Sequence, residues 1–556
     1  MAASSNTDRP TAVEIAHAVA AAMPAETSTK PLLGILGVVT GAGVVTLTSR
    51  MISLGMPDFR GSHGFGYDES AWIGSAFDAG LMFIGPFTVY LGGLMGPRRI
   101  LLTAAALFTV LLIFLPLVPS YSLVIAMTLL AGLTSGTFYP LTLTFALRNI
   151  PLRYLPLTIA LYATFVDGAV NIAPSLYGWY RDHLSSNWMF WNSALITPLM
   201  MTCIYYGIPK TNSAKKSGEA PSFAGFLYAS LGLAMLLVAC EQGERLDWWR
   251  SGVFNALFVV GVFFLLCALV QRLCGPNPLV ALPYLLKWNT MLLGLLLFWF
   301  RFTLCTTIIL VPQALAIRGF EPDQIGPAII WSAVPLIPLA FTAALLLLRK
   351  FDSRLLLAIG LTCTGFAALL NSQYSSTWAA ENFYRTELLT GIGQAFAFIG
   401  LVGCIVLQAL FAGALAKPEW VLTFSAFFHT IRIFGGTAGA IYMGHFLAQR
   451  EKLHSNLLVL HVSRGNWITD QNIYAMTEGL YPKSPGIVAA GARAVDLIAA
   501  RVRLQAYSLS IVDGFLLIAW SCVCALIFVA LLRGSPLDYG DLSRLQQVQA
   551  SAKESK

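Results

Sequence analysis

The sequence predicts an all-α integral membrane protein, on three observations. Of its 556 residues, 57% are hydrophobic and only 11% charged, against roughly 45–50% and about 25% in soluble chains. Mean hydropathy is +0.70. The apolar residues gather in repeated runs of about 20, the length that crosses a bilayer core as a helix. This excludes a soluble globular enzyme, a disordered chain and a nucleic-acid binder. Lipid offers no water to backbone N–H and C=O groups, so each run must bond internally, as a helix does.

Runs fall near 31–54, 70–92, 99–118, 122–146, 156–179, 189–207, 222–241 and 251–273, then near 288–312, 324–348, 353–372, 384–413, 419–448 and 506–532. That predicts 14 spans. The polar stretch 371–385 separates the eleventh from the twelfth. Residues 1–30 are polar and Ala-rich with no continuous apolar core, so no cleaved signal peptide is expected. They read as a cytoplasmic tail, with a short amphipathic helix at 11–22 or a frayed end equally open.

Orientation follows the excess of Lys and Arg in cytoplasmic loops. With the N-terminus inside, the inner loops hold 13 such residues: Arg98, Arg99, Arg148, Arg153, Lys210, Lys215, Lys216, Arg272, Lys287, Arg349, Lys350, Arg354 and Lys417. The short outer loops hold 6: Arg60, Arg181, Arg245, Arg250, Arg318 and Arg385. Both termini are therefore expected inside, and the net charge of +8 belongs beside anionic lipid. One outer loop, 449–505, is long. It carries helix-like pieces around a Gly/Pro/Asn-rich middle, and 488–505 reads as a surface helix that packs either on a partner or on the protein itself.

Charges inside spans carry the functional signal. A charged side chain deep in a bilayer costs between about 3 and 17 kcal/mol, so it pairs or it works. Asp78 in span two and Asp167 in span five lie too deep for so short a side chain to reach water. Each reads either as a proton or substrate site or as half of a fixed pair with Arg50 of span one. Arg301, flanked by Trp299 and Phe302 in span nine, reads as an anion-binding or aromatic-stacking group, or as one that snorkels to the interface. His429 and Arg432 stand at i and i+3 in span thirteen and share a helix face. They form a titratable patch or a packed histidine beside a capping arginine. Glu387 and Asp513, near span ends, read as solvated boundary residues. Gly435, Gly436 and Gly439 permit close helix approach. Pro86, Pro174, Pro312, Pro335 and Pro338 free carbonyls within spans.

Nine cysteines show no CxxC spacing and read as free thiols, without metal or disulfide. No HExxH, GxSxG or Walker A sequence occurs. Neither an enzyme nor a cofactor is expected, and active transport would have to draw on an ion gradient.

Several stretches resemble one family. WIGSAFDAGLMFIGPFTVYLGGLMGPRRILL, with Trp72, Pro86, Gly96, Arg98 and Arg99, is similar to span two and the following loop of the major facilitator superfamily. LYATFVDGAVNIAPSLYGWYRDHLSSNWMFWNSA resembles its span-five antiporter motif, placing Pro174, Gly178, Trp179, Asp182, Trp188, Phe190 and Asn192. FFHTIRIFGGTAGA resembles FFNxxRxxGGxxG, placing Arg432, Gly435 and Gly436, and QAYSLSIVDGFLLIA places Asp513. The resemblance covers roughly 31–533 and points to the 14-span drug:proton antiporter branch, the EmrB/QacA type. Four positions depart from it. The loop aspartate falls at Gly93, the span-four arginine at Thr128, the span-one aspartate at Thr48, and the antiporter Gly-Pro pair at Ala169-Val170. Asp78 and Asp167 are additional acids.

The resemblance implies two pseudo-symmetric six-helix bundles, at 31–207 and 288–533, joined by two linker spans at 208–287, with a C-terminal tail at 534–556. It implies proton-coupled efflux of an amphipathic or lipophilic molecule across an inner membrane; Arg50, Asp78 and Asp167, which depart from the family pattern on three spans that surround the cavity of such a fold, are expected to replace the usual coupling residues. A periplasmic adaptor and outer-membrane channel are compatible partners. A metabolite or siderophore permease, or a non-transporting sensor on the same scaffold, stays open at this level.

Overall fold

A computed structural model describes residues 30–141, 150, 154–208, 223–274, 285–411, 418–463, 465–535, 538–541 and 544. The tail helix at 11–22 and the loop residues Arg148, Arg153, Lys210, Lys215, Lys216 and Lys417 lie outside them, as does the chain beyond 544. Among the described residues every regular element is helical, and all fourteen expected positions carry a helix. They are α1 (Pro31–His63), α2 (Tyr67–Met95), α3 (Pro97–Phe114), α4 (Tyr121–Leu141), α5 (Leu155–His183), α6 (Trp188–Gly207), α7 (Phe223–Gly243) and α8 (Gly252–Cys274). Then come α9 (Trp288–Ala316), α10 (Pro322–Leu348), α11 (Ser353–Asn371), α12 (Tyr384–Phe411), α13 (Pro418–Val459) and α14 (Ile487–Leu531).

Neighbours follow a two-part plan. Helix α1 packs on α5 and α6, α2 on α4, and α3 on α6. In the second part α11 packs on α12 and α14, α9 on α13, and α13 on α14. The parts meet where α5 lies on α10 and α12, and where α2 lies on α13. Glycine sets the first of these seams. A Cβ at Gly178 would lie 2.7 Å from Asp323 Cα, and one at Gly326 would lie 2.5 Å from Ser175 Cα. Only hydrogen fits between those backbones. Gly96, between α2 and α3, has φ +87°, a region in which L side chains are strained. Pro97 follows it at the first helical position, where its missing N–H is harmless.

Two helices are broken within the membrane. Helix α9 passes through a π turn at Thr306–Leu310, just before Pro312. Helix α10 contains a 3₁₀ turn at Ile330–Ser332, just before Pro335. In both, proline removes an N–H and crowds the preceding turn.

The long loop differs from the expectation of a separate surface helix. Its flanks continue the spans: α13 runs for 42 residues and α14 for 45. At 1.5 Å per residue α13 is about 63 Å long, twice the hydrocarbon core. The two extensions form a projecting hairpin topped by a short helix, Trp467–Leu480. Asp513 is correspondingly not a solvated boundary residue. It sits between the extensions, 2.6 Å from Arg450 Nε and 2.6 Å from His454 Nε2. Glu387 also departs from the boundary reading: it is fully buried, and neither carboxyl oxygen has a partner among the described residues.

Candidate functional site

A cavity of about 530 Å³ opens where the parts meet, between α1, α2, α7, α9 and α13. It runs from Tyr67 and Arg245, at the end of the bundle where α1 finishes, inward to Tyr139 and Arg432. Arg50, Asp78, Arg301 and Arg432 all line it. Asp167 does not.

The π turn of α9, just before Pro312, presents the carbonyl of Ile308 beside Arg50. Arg50 Nη2 donates to that carbonyl at 3.1 Å. Its partner is therefore backbone rather than Asp78 or Asp167. Arg432 lies with its guanidinium carbon 3.5 Å from the centre of the Tyr139 ring, and its Nη2 donates to Thr46 Oγ1 at 3.4 Å. Thr46 and Tyr139 are hydrogen-bonded to each other. Arg301 lies against a face cleared by glycine: a Cβ at Gly436 would be 2.9 Å from Arg301 Nη2, and one at Gly435 would be 3.2 Å from Phe298.

Asp78 faces a carboxyl group that sequence reading misses. Glu241, in the last turn of α7, lies beside Asp78, Ser75 and Thr437 in the cavity lining. Like charges side by side repel, so neighbouring carboxyl groups favour sharing one proton over holding two charges. Glu241 stands in EQGERLDWW, which reads as an outer loop, yet it is also the final residue of the apolar run at 222–241. The helix runs two residues further, to Gly243, and its end packs into the bundle. The same turn fixes α7 to α2: Gln242 Nε2 donates to Ser75 Oγ at 2.7 Å and to the Ala71 carbonyl at 3.1 Å. Arg245 reaches Gln242 Oε1 and Asp68 Oδ1, each at 2.6 Å, and lies over the Trp72 ring.

The remaining expected residues are dispersed. Asp167 is 1% exposed and both its oxygens lack a partner among the described residues. Nearby, Asn171 Nδ2 donates to Gln394 Oε1 at 2.8 Å, joining α5 to α12. His429 turns away from the cavity, with Nε2 3.2 Å from the Leu81 carbonyl; a Cβ at Gly85 would overlap its ring at 2.0 Å. It is a packed histidine, although it shares a helix with Arg432. Pro174 is buried within α5. Arg98 stacks on Tyr205 at 4.5 Å, whereas Arg99 is exposed. Two departure positions are taken up by packing: Thr128 bonds the Val124 carbonyl of its own helix, and Thr48 bonds Ser193 Oγ of α6 at 2.8 Å.

The family model described as Major Facilitator Superfamily matches residues 38–440. The chain is 23% identical over 428 residues to the probable multidrug resistance protein EmrY of Escherichia coli (strain K12), covering 76% of this chain and 81% of that one. It is 22% identical over 437 residues to the multidrug export protein EmrB of Haemophilus influenzae, with 78% and 83% covered. Among solved structures, the proton:xylose symporter XylE superposes with a TM-score of 0.53 at 10% identity, over 93% of this chain and 99% of that one. That likeness concerns the fold. With the helices, the two-part packing and these matches together, the chain belongs to the Major Facilitator Superfamily, as a multi-pass membrane protein of the EmrB type.

Proposed function

We propose that this chain is a proton-coupled exporter of an amphipathic small molecule across the inner membrane, with Asp78 and Glu241 holding the coupling proton. One observation carries the reading: a carboxyl pair faces a cavity at the seam between the two parts. Glu241 lies beside Ser75 and Asp78 of α2 and Thr437 of α13, so it faces both parts. If the parts rock about a central site, the contacts of this carboxyl change between states. A proton drives such a cycle only through different affinities in the two states. Asp167, buried beneath Arg301 and Arg432, is a second acid whose surroundings change when the parts separate. The names of the relatives, multidrug export and resistance proteins, support the direction and the kind of cargo.

The excess of basic residues on one side supports termini in the cytoplasm, which puts the open end of the cavity outside. Domains at 31–207 and 288–533 with a linker at 208–287 agree with the packing. The projecting hairpin exposes Leu453, Leu457, Leu460, Trp467 and Tyr474 and is the surface offered to a periplasmic adaptor and outer-membrane channel.

Accumulation of lipophilic probes in efflux-deficient cells tests this. Wild type should lower accumulation, and both an uncoupler and Asp78→Asn should abolish the effect. Unchanged export by Asp78→Asn in uncoupled cells would overturn proton coupling.

A further inference from the structure

The deep end of the cavity carries more positive charge than the protein itself satisfies. Arg50, Arg301 and Arg432 come from three helices and line one cavity. None takes part in an ion pair among the described residues. Arg432 is only 9% exposed, yet its Nε and Nη1 have no protein partner among those residues. The Nε atoms of Arg50 and Arg301 are buried and unpartnered as well. A buried guanidinium without an anion is unfavourable by several kcal/mol, so an arrangement that gathers three is poised for one. The acids on the same wall do not supply it. Asp78 and Glu241 stand side by side in the lining, neither forms an ion pair with these arginines among the described residues, and like-charge repulsion disfavours ionising both at once. Asp167, behind the lining, is close enough for its charge to be felt by Arg301 and Arg432 but hydrogen-bonds neither among the described residues, and one carboxylate does not match three guanidiniums. Arg245, at the mouth, is already matched by Asp68. Apolar side chains complete the lining, among them Val45, Ile52, Met56 and Phe77.

We infer that the cargo is an amphipathic anion whose carboxylate, sulfonate or phosphate group sits among Arg50, Arg301 and Arg432, with its apolar body against α1 and α2. This rests on the transport reading above and adds to it the charge class of the cargo. A planar guanidinium fork suits an oxyanion. Cations are disfavoured at the arginine end by like charge. The proton and the anion then share one cavity, and each alters the field felt by the other.

The test uses two permanently charged probes of matched body, 1-naphthalenesulfonate and 1-naphthyltrimethylammonium. Their equilibrium binding to purified protein is measured first, then their pH-gradient-driven uptake into inside-out vesicles. The sulfonate should bind at least ten-fold more tightly than the ammonium, and Arg432→Gln should weaken it by a further ten-fold. Arg432→Lys, which keeps the charge and loses the fork, should fall between. The comparison of probes on the wild-type protein stands even if a variant does not fold. Equal binding, tighter binding of the ammonium, or no binding of the sulfonate would overturn the inference. Driven uptake of the ammonium would leave the export reading intact while removing the anion. Sulfonate binding without driven uptake would leave the anion site and remove the proton-coupled reading.

Discussion

The two linker helices are both long and apolar, but α7 and α8 meet the rest of the protein differently. Helix α8 is buried only at Phe254 and Gly261, and its main neighbour is α7. Helix α7 is buried along its length and packs on α2 and α13, one from each part. The difference lies in where polar groups stand. The last turn of α7 and the turn that follows it bring Glu241, Gln242 and Arg245 against α2, whereas α8 is apolar from Ala256 to Val270. It faces lipid at Val259, Phe263, Leu266 and Val270. In lipid, apolar surface gives no drive for helix association, so packing fit and interhelical hydrogen bonds decide which helix joins a bundle. One added helix thus belongs to the cavity and the other belongs to the bilayer.

That contrast breaks most visibly if the carboxyl of α7 is idle. Glu241→Gln should reduce pH-gradient-driven export at least ten-fold, as Asp78→Asn should, because either change leaves one carboxyl without its proton-sharing partner. Export measured in everted vesicles, with the amount of folded protein checked by size-exclusion chromatography, distinguishes this from misfolding. Wild-type export by Glu241→Gln would make α7 a structural strut only. A smaller effect is expected at the α7–α8 crossing. A Cβ at Gly232 would lie 2.8 Å from Leu265 Cγ and 2.9 Å from the Gly261 carbonyl. Gly232→Leu should therefore destabilise by about 1–3 kcal/mol through overpacking, read as a lower midpoint of thermal unfolding, with driven export per folded molecule retained.

Most of the fold is legible in the sequence because lipid imposes a simple rule: a run of about 20 apolar residues must be a helix. That rule finds all fourteen positions. It says nothing about which helices touch. The site is therefore only half legible. Arg50, Asp78, Arg301 and Arg432 stand out as charges inside runs, and all four line the cavity. Asp167 stands out equally and lies outside the lining, because depth along a helix is readable from sequence while the direction a side chain faces is set by neighbours. Glu241 is hidden for the opposite reason. It ends an apolar run, where a charge reads as solvated, and only the packing of α2 and α13 around that end encloses it. The hairpin at 449–505 is not legible because helix continuity across the membrane surface leaves no mark in hydropathy.

Gln242 measures how much of the α7 docking is polar. It donates to Ser75 and to the Ala71 carbonyl and accepts from Arg245. Interhelical hydrogen bonds in membranes average about 0.6 kcal/mol. Gln242→Leu should thus lower stability by about 1 kcal/mol and shift the pH dependence of export, since Ser75 also lies beside Glu241. Stability unchanged within error would assign the docking to shape alone.

The smallest effect is expected on α8, where it probes the lipid-facing half of the contrast. Leu266 is 54% exposed and faces lipid, while Leu265 beside it touches Gly232. In water, trimming either leucine would remove buried apolar area. In a bilayer the surrounding acyl chains are as apolar as leucine, so Leu266→Ala exchanges one hydrocarbon contact for another. Its effect on unfolding should stay within about 0.5 kcal/mol, and export should be unchanged. Leu265→Ala opens a gap against α7 and should cost more, since packing is the force that holds these two helices together. Parallel unfolding of the two variants in lipid nanodiscs reads the difference. If Leu266→Ala destabilises as much as Leu265→Ala, the outer face of α8 is covered in the membrane by another protein surface, and the contrast between a cavity helix and a lipid helix no longer holds.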